Sequence, residues 1–266
     1  MLRAVTVNIG AAGLDRAELL LRWLAERDDD VILLTETSAG PGTAYLLEQF
    51  RRAGYITVNT PDDGDRGAAL VSRVSLTAHE PDAFEQVSIP ARVAAAALDT
   101  SPRTWWVSVY VPSRDRSADK TARKEEFITS LLKTIEQLQP EERDRMVIGG
   151  DYNVITSDHR PLHPGFLPFE FALLDTLSAE GFIDAHARCA PGSQPYSWIG
   201  RTGDGYRYDY FHVGPELGGR LRDCAYLHET REQRLTDHAA VELYLNVEAE
   251  RLECSGPTGP EALGLF

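Results

Sequence analysis

Strand-like and helix-like segments alternate along most of this chain, and the alternation limits the folds that it can adopt. Apolar runs at Leu2–Asn8 and Val31–Glu36 flank a segment, Leu14–Arg27, that has the apolar spacing of a helix. Further strands are predicted at Tyr55–Val58, Ala68–Ser72, Val93–Leu98, Thr104–Val111, Met146–Ile148, Tyr208–Val213, Leu221–Leu227 and Ala239–Val247, and further helices at Tyr45–Ala53, Ser117–Leu138 and Phe169–Glu180. This pattern is typical of an α/β domain. A length of 266 residues fits a large single-domain α/β enzyme, and the lack of a fixed-period repeat excludes a solenoid.

Two finer predictions concern the ends of the first helix. Asp15 is expected at its N-cap, where the side chain accepts a backbone N–H, and Glu18 three residues later suits a capping box. The run Asp28–Asp30 beyond the other end is unfavourable to the helix dipole, and we interpret it as solvated.

The end of the chain differs in composition from the rest. From Glu248 onward it is rich in Gly, Pro and Glu, and such a segment buries too little apolar surface to offset its chain entropy. We therefore expect one catalytic domain over residues 1–247 and a flexible C-terminal tail over residues 248–266.

The composition favours a cytoplasmic enzyme that does not enter a membrane; we also expect a monomer, although the sequence does not give the oligomeric state. No run approaches the ~18 consecutive apolar residues of a transmembrane helix. The start, MLRAVTVNIG, lacks the basic-then-apolar layout of a secretory signal. Cys189, Cys224 and Cys254 are widely spaced, which argues against a disulfide framework or a structural zinc site and fits a reducing compartment.

The net charge of −14 limits how the chain can meet a polyanion. Proteins that bind duplex DNA gain affinity from Lys and Arg contacts to phosphates, and the overall field here is repulsive. Screening over about 8 Å at physiological salt still leaves local basic patches usable. Arg114–Lys124 is the best candidate patch, with five basic residues against two acidic ones. The alternative is a solvated loop that runs into a helix.

Polar side chains recur at or just past the ends of the predicted apolar strands. They are Asn8, Glu36, Asp151, Asn153, Asp209 and His238. A single residue of this kind is usually a turn or cap residue. Six of them indicate a shared crevice, because caps would use Ser, Thr and Gly as often as Asp, Asn and Glu. A carboxylate–amide pair, a lone aspartate and an Asp-His pair are the parts of a metal-assisted phosphoester hydrolase.

Other motifs are absent or uninformative. The run Asp62-Asp63-Gly64-Asp65 lacks the spacing and terminal Glu of a calcium loop, so we interpret it as a hairpin loop. The sequence contains no nucleophile elbow, no Walker A loop and no G-x-G-x-x-G motif.

Taken in order, several short motifs resemble the endonuclease/exonuclease/phosphatase superfamily. They are VNIG (Val7–Gly10), LLTET (Leu33–Thr37), VYVPS (Val109–Ser113), GGDYNV (Gly149–Val154), YSW (Tyr196–Trp198), YRYDYF (Tyr206–Phe211) and LTDHAAV (Leu235–Val241). Phe166-Leu167-Pro168 and the Arg-x-Asp-Tyr segment Arg207–Tyr210 resemble the exonuclease III and apurinic/apyrimidinic endonuclease branch in particular.

The resemblance implies a fold and a metal site. The fold would be a four-layered α/β sandwich, with two mixed β-sheets packed face to face and helices on the outside. Glu36 would be the main ligand of Mg²⁺, with Mn²⁺ as the alternative ion. Asp237 would assist Glu36, and Asn8 would brace the site.

The resemblance also implies catalytic roles. Asp151 would orient or deprotonate the attacking water, and Asn153 would bond an oxygen of the scissile phosphate. His238, held in its tautomer by Asp209, would stabilise the charge of the transition state. Tyr110 would lie close to them.

The substrate is the most open part of the interpretation. Trp198, Tyr206 and Tyr208 are predicted to form an aromatic wall beside the phosphate, with Arg114 as a basic contact; the alternative is that Trp198 packs in the core and the tyrosines cover strand edges. The leading prediction is Mg²⁺-dependent cleavage of phosphodiester bonds in DNA, as in exonuclease III or abasic-site repair enzymes. The net charge and the short segment between Asn153 and Phe166 favour a small or non-nucleic phosphoester instead. A third alternative is a binding module without catalytic activity. The presence of Glu36, Asp151, Asn153, Asp209 and His238 argues against it, because such a module has no need of all five.

Overall fold

The computed structural model describes residues 1–59, 64–77, 83–161 and 163–257, in which strands and helices alternate as predicted. The strands are β1 (Leu2–Asn8), β2 (Val31–Thr37), β3 (Ile56–Asn59), β4 (Gly67–Ser72), β5 (Val93–Leu98), β6 (Thr100–Ser101), β7 (Thr104–Tyr110), β8 (Met146–Asp151), β9 (Ile183–Asp184), β10 (Trp198–Ile199), β11 (Gly205–Tyr206), β12 (Asp209–Val213), β13 (Leu221–Leu227), β14 (Ala240–Leu245) and β15 (Glu248–Ala249). The α-helices are α1 (Leu14–Ala25), α2 (Pro41–Arg52), α3 (Ala118–Gln137), α4 (Pro140–Asp144), α5 (Pro168–Ala179), α6 (Ala185–Cys189) and α7 (Glu229–Glu232).

Two mixed sheets form the centre of the molecule. The six-stranded sheet has the order β13-β14-β1-β2-β4-β3, and the five-stranded sheet has the order β5-β7-β8-β12-β9. Each contains one parallel pair, β1 with β2 and β7 with β8, between antiparallel neighbours. In a parallel pair both strands end at the same edge of the sheet. The two pairs therefore bring the ends of four strands to defined edges.

Strand alternation explains why the sheets stack. In β1, Leu2 and Ala4 face the core that the two sheets share, whereas Val5 and Val7 face the helices of the outer layer. Residues on a strand alternate between its two faces, so a strand with apolar residues on both faces is buried on both. Trp106 of the second sheet lies in the same shared core.

Helices cover the outer face of each sheet. Helices α1 and α2 pack on the six-stranded sheet through residues such as Leu20 and Phe50. Helices α3 and α5 pack on the five-stranded sheet through residues such as Phe127 and Leu173. Each such side chain contributes about 1.5–3 kcal/mol of burial free energy. The predicted four-layered α/β sandwich is thus confirmed.

Element ends differ from the predictions in ways that local chemistry explains. Helix α1 begins at Leu14 with Gly13 as its extended N-cap and no side-chain capping bond, so the assignment of Asp15 to the N-cap and of Glu18 to a capping box was wrong. Helix α2 begins at Pro41, earlier than predicted, because proline suits the first helical turn.

The acidic run after α1 is also different from its prediction. Asp29 and Asp30 are buried rather than solvated. Arg27 donates to Asp29, and Arg73 and Arg251 donate to Asp30. Only Asp28 of the three is exposed. Partners that are distant in sequence thus neutralise this run.

The start of the predicted flexible tail is ordered by pairing. Strand β15 pairs antiparallel with β6, and the backbone N–H of Ser255 donates to the carbonyl of Ala53. Because Arg251 also reaches Asp30, residues 248–257 are attached to the domain rather than free. Residues 258–266 lie outside the described part of the chain.

Strands β3 and β4 pair antiparallel, as expected for a hairpin on either side of the Asp62–Asp65 run, although Asp62 and Asp63 themselves lie outside the described residues. Within the described residues, no helix has both the length and the apolar character to cross a membrane.

Candidate active site

The ends of the parallel strand pairs carry the polar side chains that the sequence singled out. Asn8 is the last residue of β1, and Glu36 is the second-last residue of β2. Tyr110 and Asp151 end β7 and β8, and Asp209 at the start of β12 pairs directly with Asp151. Because the sheets face each other, groups from both sheets meet at this one edge.

Backbone geometry at this edge is unusual and constrains the sequence. Glu36 sits at a register shift between β2 and β4 with a φ of +52°, in the left-handed region. Gly150 has a φ of +141°, and a Cβ there would lie 2.0 Å from the carbonyl oxygen of Val109. Strand β7 approaches too closely for any side chain at this position. Glycine before Asp151 is therefore required for the carboxylate to reach the site.

Asn8 joins the acids of the two sheets. Its Nδ2 donates to Glu36 Oε1 at 3.2 Å and to Asp151 Oδ2 at 2.8 Å, and it lies 3.5 Å from His238 Nε2. Its Oδ1 accepts from the backbone N–H of Gly10 at 2.8 Å. The amide is thereby held in one orientation, with its donors toward the carboxylates.

His238 and Asp209 form a buried pair. The distance from His238 Nδ1 to Asp209 Oδ2 is 2.7 Å. Burial lowers the pKa of His238, but the negative charges of Asp209, Asp151 and Asp237 outweigh it and raise the pKa to about 10. A carboxylate only accepts, so Nδ1 carries a proton, and the imidazole can present a positive charge to the cleft at neutral pH.

Asp151 is the most strongly perturbed acid of the site. Burial raises its pKa to about 8; the charges of Asp209 and Glu36 act in the same direction, and His238 opposes them. Asp151 Oδ1 accepts from the backbone N–H of Asn153 at 2.9 Å. A carboxyl group with such proton affinity can take a proton from water near neutral pH.

Asn153 and Tyr110 complete the inner part of the site. Asn153 Nδ2 donates to the carbonyl of Val111 at 3.0 Å and to Asp151 Oδ2 at 3.2 Å. The guanidinium of Arg92 lies 4.4 Å from the centre of the Tyr110 ring. Burial, with the charges of Glu36 and Asp151, raises the pKa of Tyr110, so its hydroxyl stays protonated.

The donor set suits a hard divalent cation. Glu36, Asp151 and His238 each offer an atom within 4.8 Å of the others. The side chain of Glu36 is 24% exposed, and its Oε2 lies 4.0 Å from Arg66, so one carboxylate oxygen faces the cleft. Mg²⁺ and Mn²⁺ favour one or two carboxylates plus water. The protonated His238 is a neighbour of such an ion rather than a ligand.

Asp237, the second predicted metal residue, lies outside this compact group. It is exposed at the rim of the cleft, where its Oδ2 accepts from the indole N–H of Trp198 at 3.0 Å. Asp237 therefore holds the aromatic side of the cleft in place as well as adding negative charge near Glu36.

Beside these groups is a cleft of about 450 Å³. Its lining comprises Glu36, Ser113, Arg114, Asp115, Arg116, Lys124, Asn153, Gly165, Phe166, Glu170, Trp198, Tyr206, Tyr208, Asp237 and His238. The Tyr206 and Tyr208 rings stack with centroids 5.1 Å apart, and Tyr208 stacks on Trp198 at 5.8 Å. The three predicted aromatic residues are thus brought together, half-buried, on one wall.

The predicted basic patch is largely neutralised. Its ion pairs are Arg114 and Lys124 with Glu170, Lys120 with Asp115, and Arg123 with Asp65. Among the described residues, Arg116 makes no ion pair. Arg114 lines the cleft as predicted, but its guanidinium donates to Glu170 and to the carbonyl of Gly165.

Two residues at or near the cleft were not predicted, and one was predicted in a different role. Glu170 lines the cleft, and His163, outside the lining, stacks on Tyr206 with centroids 4.2 Å apart. Lys124, predicted as part of a basic surface patch, is buried at the floor of the cleft. Lys124 stands three residues before Phe127 and so on the apolar face of α3, a pattern that signals a buried lysine. No comparable signal in the sequence marks Glu170 or His163.

Solved structures share this fold. NExo, a 3′ phosphatase from Neisseria bound to a product DNA hairpin, is 21% identical with a TM-score of 0.78 and covers 92% of this chain and 100% of its own. An AP endonuclease from Archaeoglobus fulgidus is 20% identical, with a TM-score of 0.77 and the same coverage. An AP endonuclease from Leishmania major is 20% identical, with a TM-score of 0.67, and covers 92% of this chain and 87% of its own.

Sequence comparison is decisive at the level of the family. No curated protein matches the chain significantly. The model of the Endonuclease/Exonuclease/phosphatase family, however, matches residues 5–239, which span every strand from β2 to β13. The resemblance that the ordered motifs indicated is confirmed. The chain belongs to the Endonuclease/Exonuclease/phosphatase family and is a hydrolase of phosphoester bonds.

Proposed function

We propose that this protein is a divalent-metal-dependent phosphodiesterase that cleaves DNA. The observation that carries the proposal is the convergence of Glu36, Asp151 and the His238–Asp209 pair beside an aromatic cleft. A phosphodiester is an anionic, poor electrophile, so its hydrolysis requires a positioned water and neutralised charge. The site offers a proton acceptor in Asp151, a buried cation in His238 and a carboxylate oxygen of Glu36 that faces the cleft.

Asp151 is assigned to orient and deprotonate the attacking water. Its raised pKa makes it an effective acceptor of the water proton near neutral pH, and Asn8 and Asn153 fix its orientation. As the water oxygen bonds to phosphorus, the bond to the leaving oxygen breaks, and that oxygen takes a proton from solvent. Asp151 returns its proton to solvent before the next turnover.

His238 and Asn153 are assigned to neutralise the negative charge on the phosphate. His238 presents its Nε2 side to the site while Asp209 fixes Nδ1, so a cation faces the phosphate without a flexible chain. Asn153 Nδ2 lines the cleft; its two hydrogens are bound to the carbonyl of Val111 and to Asp151, so it can donate to a non-bridging oxygen when the longer bond, to Asp151, is released. Such preorganised donors contribute several kcal/mol in other enzymes.

Glu36 is the residue that would hold Mg²⁺, or Mn²⁺, with Asp237 adding charge from the rim. The bound ion would supply further neutralisation of the phosphate charge. Asn8 would keep the Glu36 carboxylate oriented through its 3.2 Å bond.

DNA is the substrate that the aromatic wall favours. Stacked Tyr206, Tyr208 and Trp198 suit an extruded sugar or a base, and stacking contributes about 1–3 kcal/mol per base. Relatives of the same fold described as AP endonucleases, or as a phosphatase bound to a DNA hairpin, support this choice. The net charge of −14 and the paired basic patch favour the second candidate, a small phosphoester.

A substrate panel separates the two candidates. Purified protein with Mg²⁺ is offered an abasic-site duplex, a blunt duplex, single-stranded DNA and a set of phosphomonoesters. Cleavage of a DNA substrate that EDTA abolishes supports the proposal. Activity that survives EDTA contradicts the metal assignment, and turnover of the monoesters alone selects the small phosphoester.

Trp198→Ala tests the aromatic wall. Turnover or binding of the preferred DNA should fall by about 5- to 150-fold, the equivalent of 1–3 kcal/mol. Hydrolysis of bis-p-nitrophenyl phosphate, which carries neither a deoxyribose nor a base, should be nearly unchanged. Equal losses on both substrates would indicate a folding defect, and no loss on either would remove the wall from the binding site.

Salt dependence tests how many phosphates are held. Because most of the basic patch is paired internally, we expect about two to four phosphate contacts and a slope of log K against log salt of about −2 to −4. A slope near −8 would mean that the DNA also contacts a large basic surface other than Arg114–Lys124.

A further inference from the structure

The floor of the cleft contains a lysine that the proposed chemistry does not use. Lys124 on α3 is 1% exposed. Its Nζ donates to the backbone carbonyl of Asn153 at 2.6 Å and to Glu170 Oε1 at 2.7 Å. One end of this contact is thus a helix of the outer layer, and the other is the backbone of a residue that faces the phosphate.

The counter-ion of Lys124 is held independently of the lysine. Glu170 on α5 also accepts from the guanidinium of Arg114 and, at 2.8 Å, from the backbone N–H of Leu167. Two cations therefore share one carboxylate. If Lys124 loses its charge, Glu170 keeps Arg114 as a partner.

Stability alone does not account for a buried lysine at this place. A buried ion pair is often no more stabilising than apolar residues of similar volume, because both charges are desolvated. Helices α3 and α5 already pack through Phe127, Ile128, Leu173 and Leu177, which lie in one apolar cluster. The position of the ammonium group, rather than its contribution to packing, needs an explanation.

Asn153 has the backbone conformation that such a contact would stabilise. Its φ is +51°, in the left-handed region, which asparagine adopts more readily than most other residues but which does not by itself fix the direction of the carbonyl. Its N–H and side-chain amide are bound to Asp151 and Val111. Its carbonyl is bound to Lys124. If the carbonyl turned toward the water of the cleft instead, the side-chain amide would move with it.

We propose that Lys124 is a positioning residue: it fixes the carbonyl of Asn153 and thereby the direction of the Asn153 amide at the phosphate. The inference rests on the proposed function, since it assigns a use to that amide. Glu170 and Arg114 keep the lysine in place from α5 and from the loop after β7. The outer helices thus brace the catalytic turn.

Lys124→Met is the first test, because methionine fills a similar volume without the ammonium group. We expect kcat on bis-p-nitrophenyl phosphate to fall by about 10- to 100-fold, as for small misplacements of catalytic groups, with little change in KM. Lys133→Met is the matched control: Lys133 lies nine residues further along α3, is exposed, and is outside the Arg114–Lys124 patch. That variant should keep its turnover.

A double-mutant cycle separates positioning from general destabilisation. In an Asn153→Ala background, Lys124→Met should cost no more than about 2-fold, the usual error of additivity, because the amide that it positions is gone. The full loss in both backgrounds would overturn the proposal. Lys124→Met should change the melting temperature little, because Arg114 still pairs with Glu170, whereas a purely structural role predicts that the melting temperature falls together with kcat.

A readout other than activity keeps this test distinct from the proposed function. In nitrogen-15 spectra, the side-chain amide signals of Asn153, assigned by their loss in Asn153→Ala, should shift or broaden in Lys124→Met and not in Lys133→Met. If these signals shift but the wild type hydrolyses no phosphodiester, the positioning contact holds and the proposed function fails. Unchanged Asn153 signals in Lys124→Met overturn the positioning role.

Discussion

Two buried aspartates at opposite ends of the sandwich have pKa values that are shifted in opposite directions. Asp30 directly precedes β2, and Asp151 lies at the far edge of the sandwich, beside the end of β1. Both are 1% exposed. Burial acts to raise the pKa of each, but at Asp30 the bonds from Arg251, Arg3 and Arg73 outweigh it and the pKa falls. At Asp151 the pKa rises to about 8.

The difference lies in how many cations each end supplies. The acids beside Asp30 are matched by guanidinium groups at 2.5–2.8 Å from Arg27, Arg73 and Arg251. Around Asp151, two further acids, Glu36 and Asp209, are opposed by one histidine, His238, and Arg66 stays 4.0 Å from Glu36. A matched cluster stabilises the fold, whereas an unmatched one is set up to bind a cation or a proton. Burial alone does not distinguish them.

The largest predicted effect is on turnover at the unmatched end. Asp151→Asn and His238→Ala should each lower kcat by at least ~10³-fold, because they remove the proton acceptor and the buried cation. Asp151→Asn should not lower the melting temperature, since the amide avoids the cost of a buried carboxyl group beside Glu36 and Asp209. His238→Ala leaves Asp209 buried without its partner and should lower the melting temperature, so its turnover is compared per folded molecule. Near-normal turnover in either folded variant would contradict the assignment of these groups to chemistry.

The next largest effect is on stability at the matched end. Asp30→Asn should lower the free energy of unfolding by about 3 kcal/mol, the lower end of the range for breaking a buried pair, because Arg251 is 40% exposed and can turn to water. Chemical denaturation measures the loss. Turnover per folded molecule should be unchanged, and a loss of kcat here would mean that the two ends are coupled.

The same comparison shows what could be predicted from the sequence. The strands and the six polar residues at their ends were predictable, because apolar runs fix the strands and parallel pairs fix where their ends meet. The resemblance supplied the four-layered arrangement and the partners of His238. The roles of these residues stay predictions until they are tested.

The misread features depend on contacts between distant parts of the chain. Asp30 was read as solvated because its partners Arg73 and Arg251 are 43 and 221 residues away. Residues 248–257 were read as flexible because pairing with β6 cannot be seen in their composition. Lys124 was read as part of a basic surface patch because its buried partner Glu170 is on a different helix, 46 residues away. The pattern of residues within one segment does not indicate contacts between residues that are distant in sequence.

Metal binding should stabilise the unmatched end. Mg²⁺ at ten times its Kd should raise the free energy of unfolding by about 1.4 kcal/mol through linkage, and the melting temperature should rise with it. Glu36→Gln should lose this response, whereas Asp30→Asn should keep it from a lower baseline. An equal Mg²⁺ response in wild type and Glu36→Gln would place the ion elsewhere.

The smallest predicted effect is the pH dependence of stability in EDTA. Asp151 has a pKa of about 8 when folded and an ordinary aspartate value when unfolded, so between these values the native state binds more protons. Its contribution to stability therefore falls as pH rises, by about 1 kcal/mol from pH 7 to 8. Asp30 has the opposite sign: its lowered pKa gives stability that is lost only as pH falls below the ordinary aspartate value.

Comparing wild type with Asp151→Asn by denaturant unfolding at pH 7 and pH 8 isolates the Asp151 proton from that of His238. The wild type should lose more stability than the variant over this interval, and Mg²⁺ should reduce the difference by favouring the ionised carboxylates. Asp30→Asn should leave the slope between pH 7 and 8 unchanged, because Asp30 is ionised throughout. If the wild type and Asp151→Asn lose stability in parallel, Asp151 is already ionised in the folded protein. Asp30 and Asp151 would then differ in their partners but not in their charge at neutral pH.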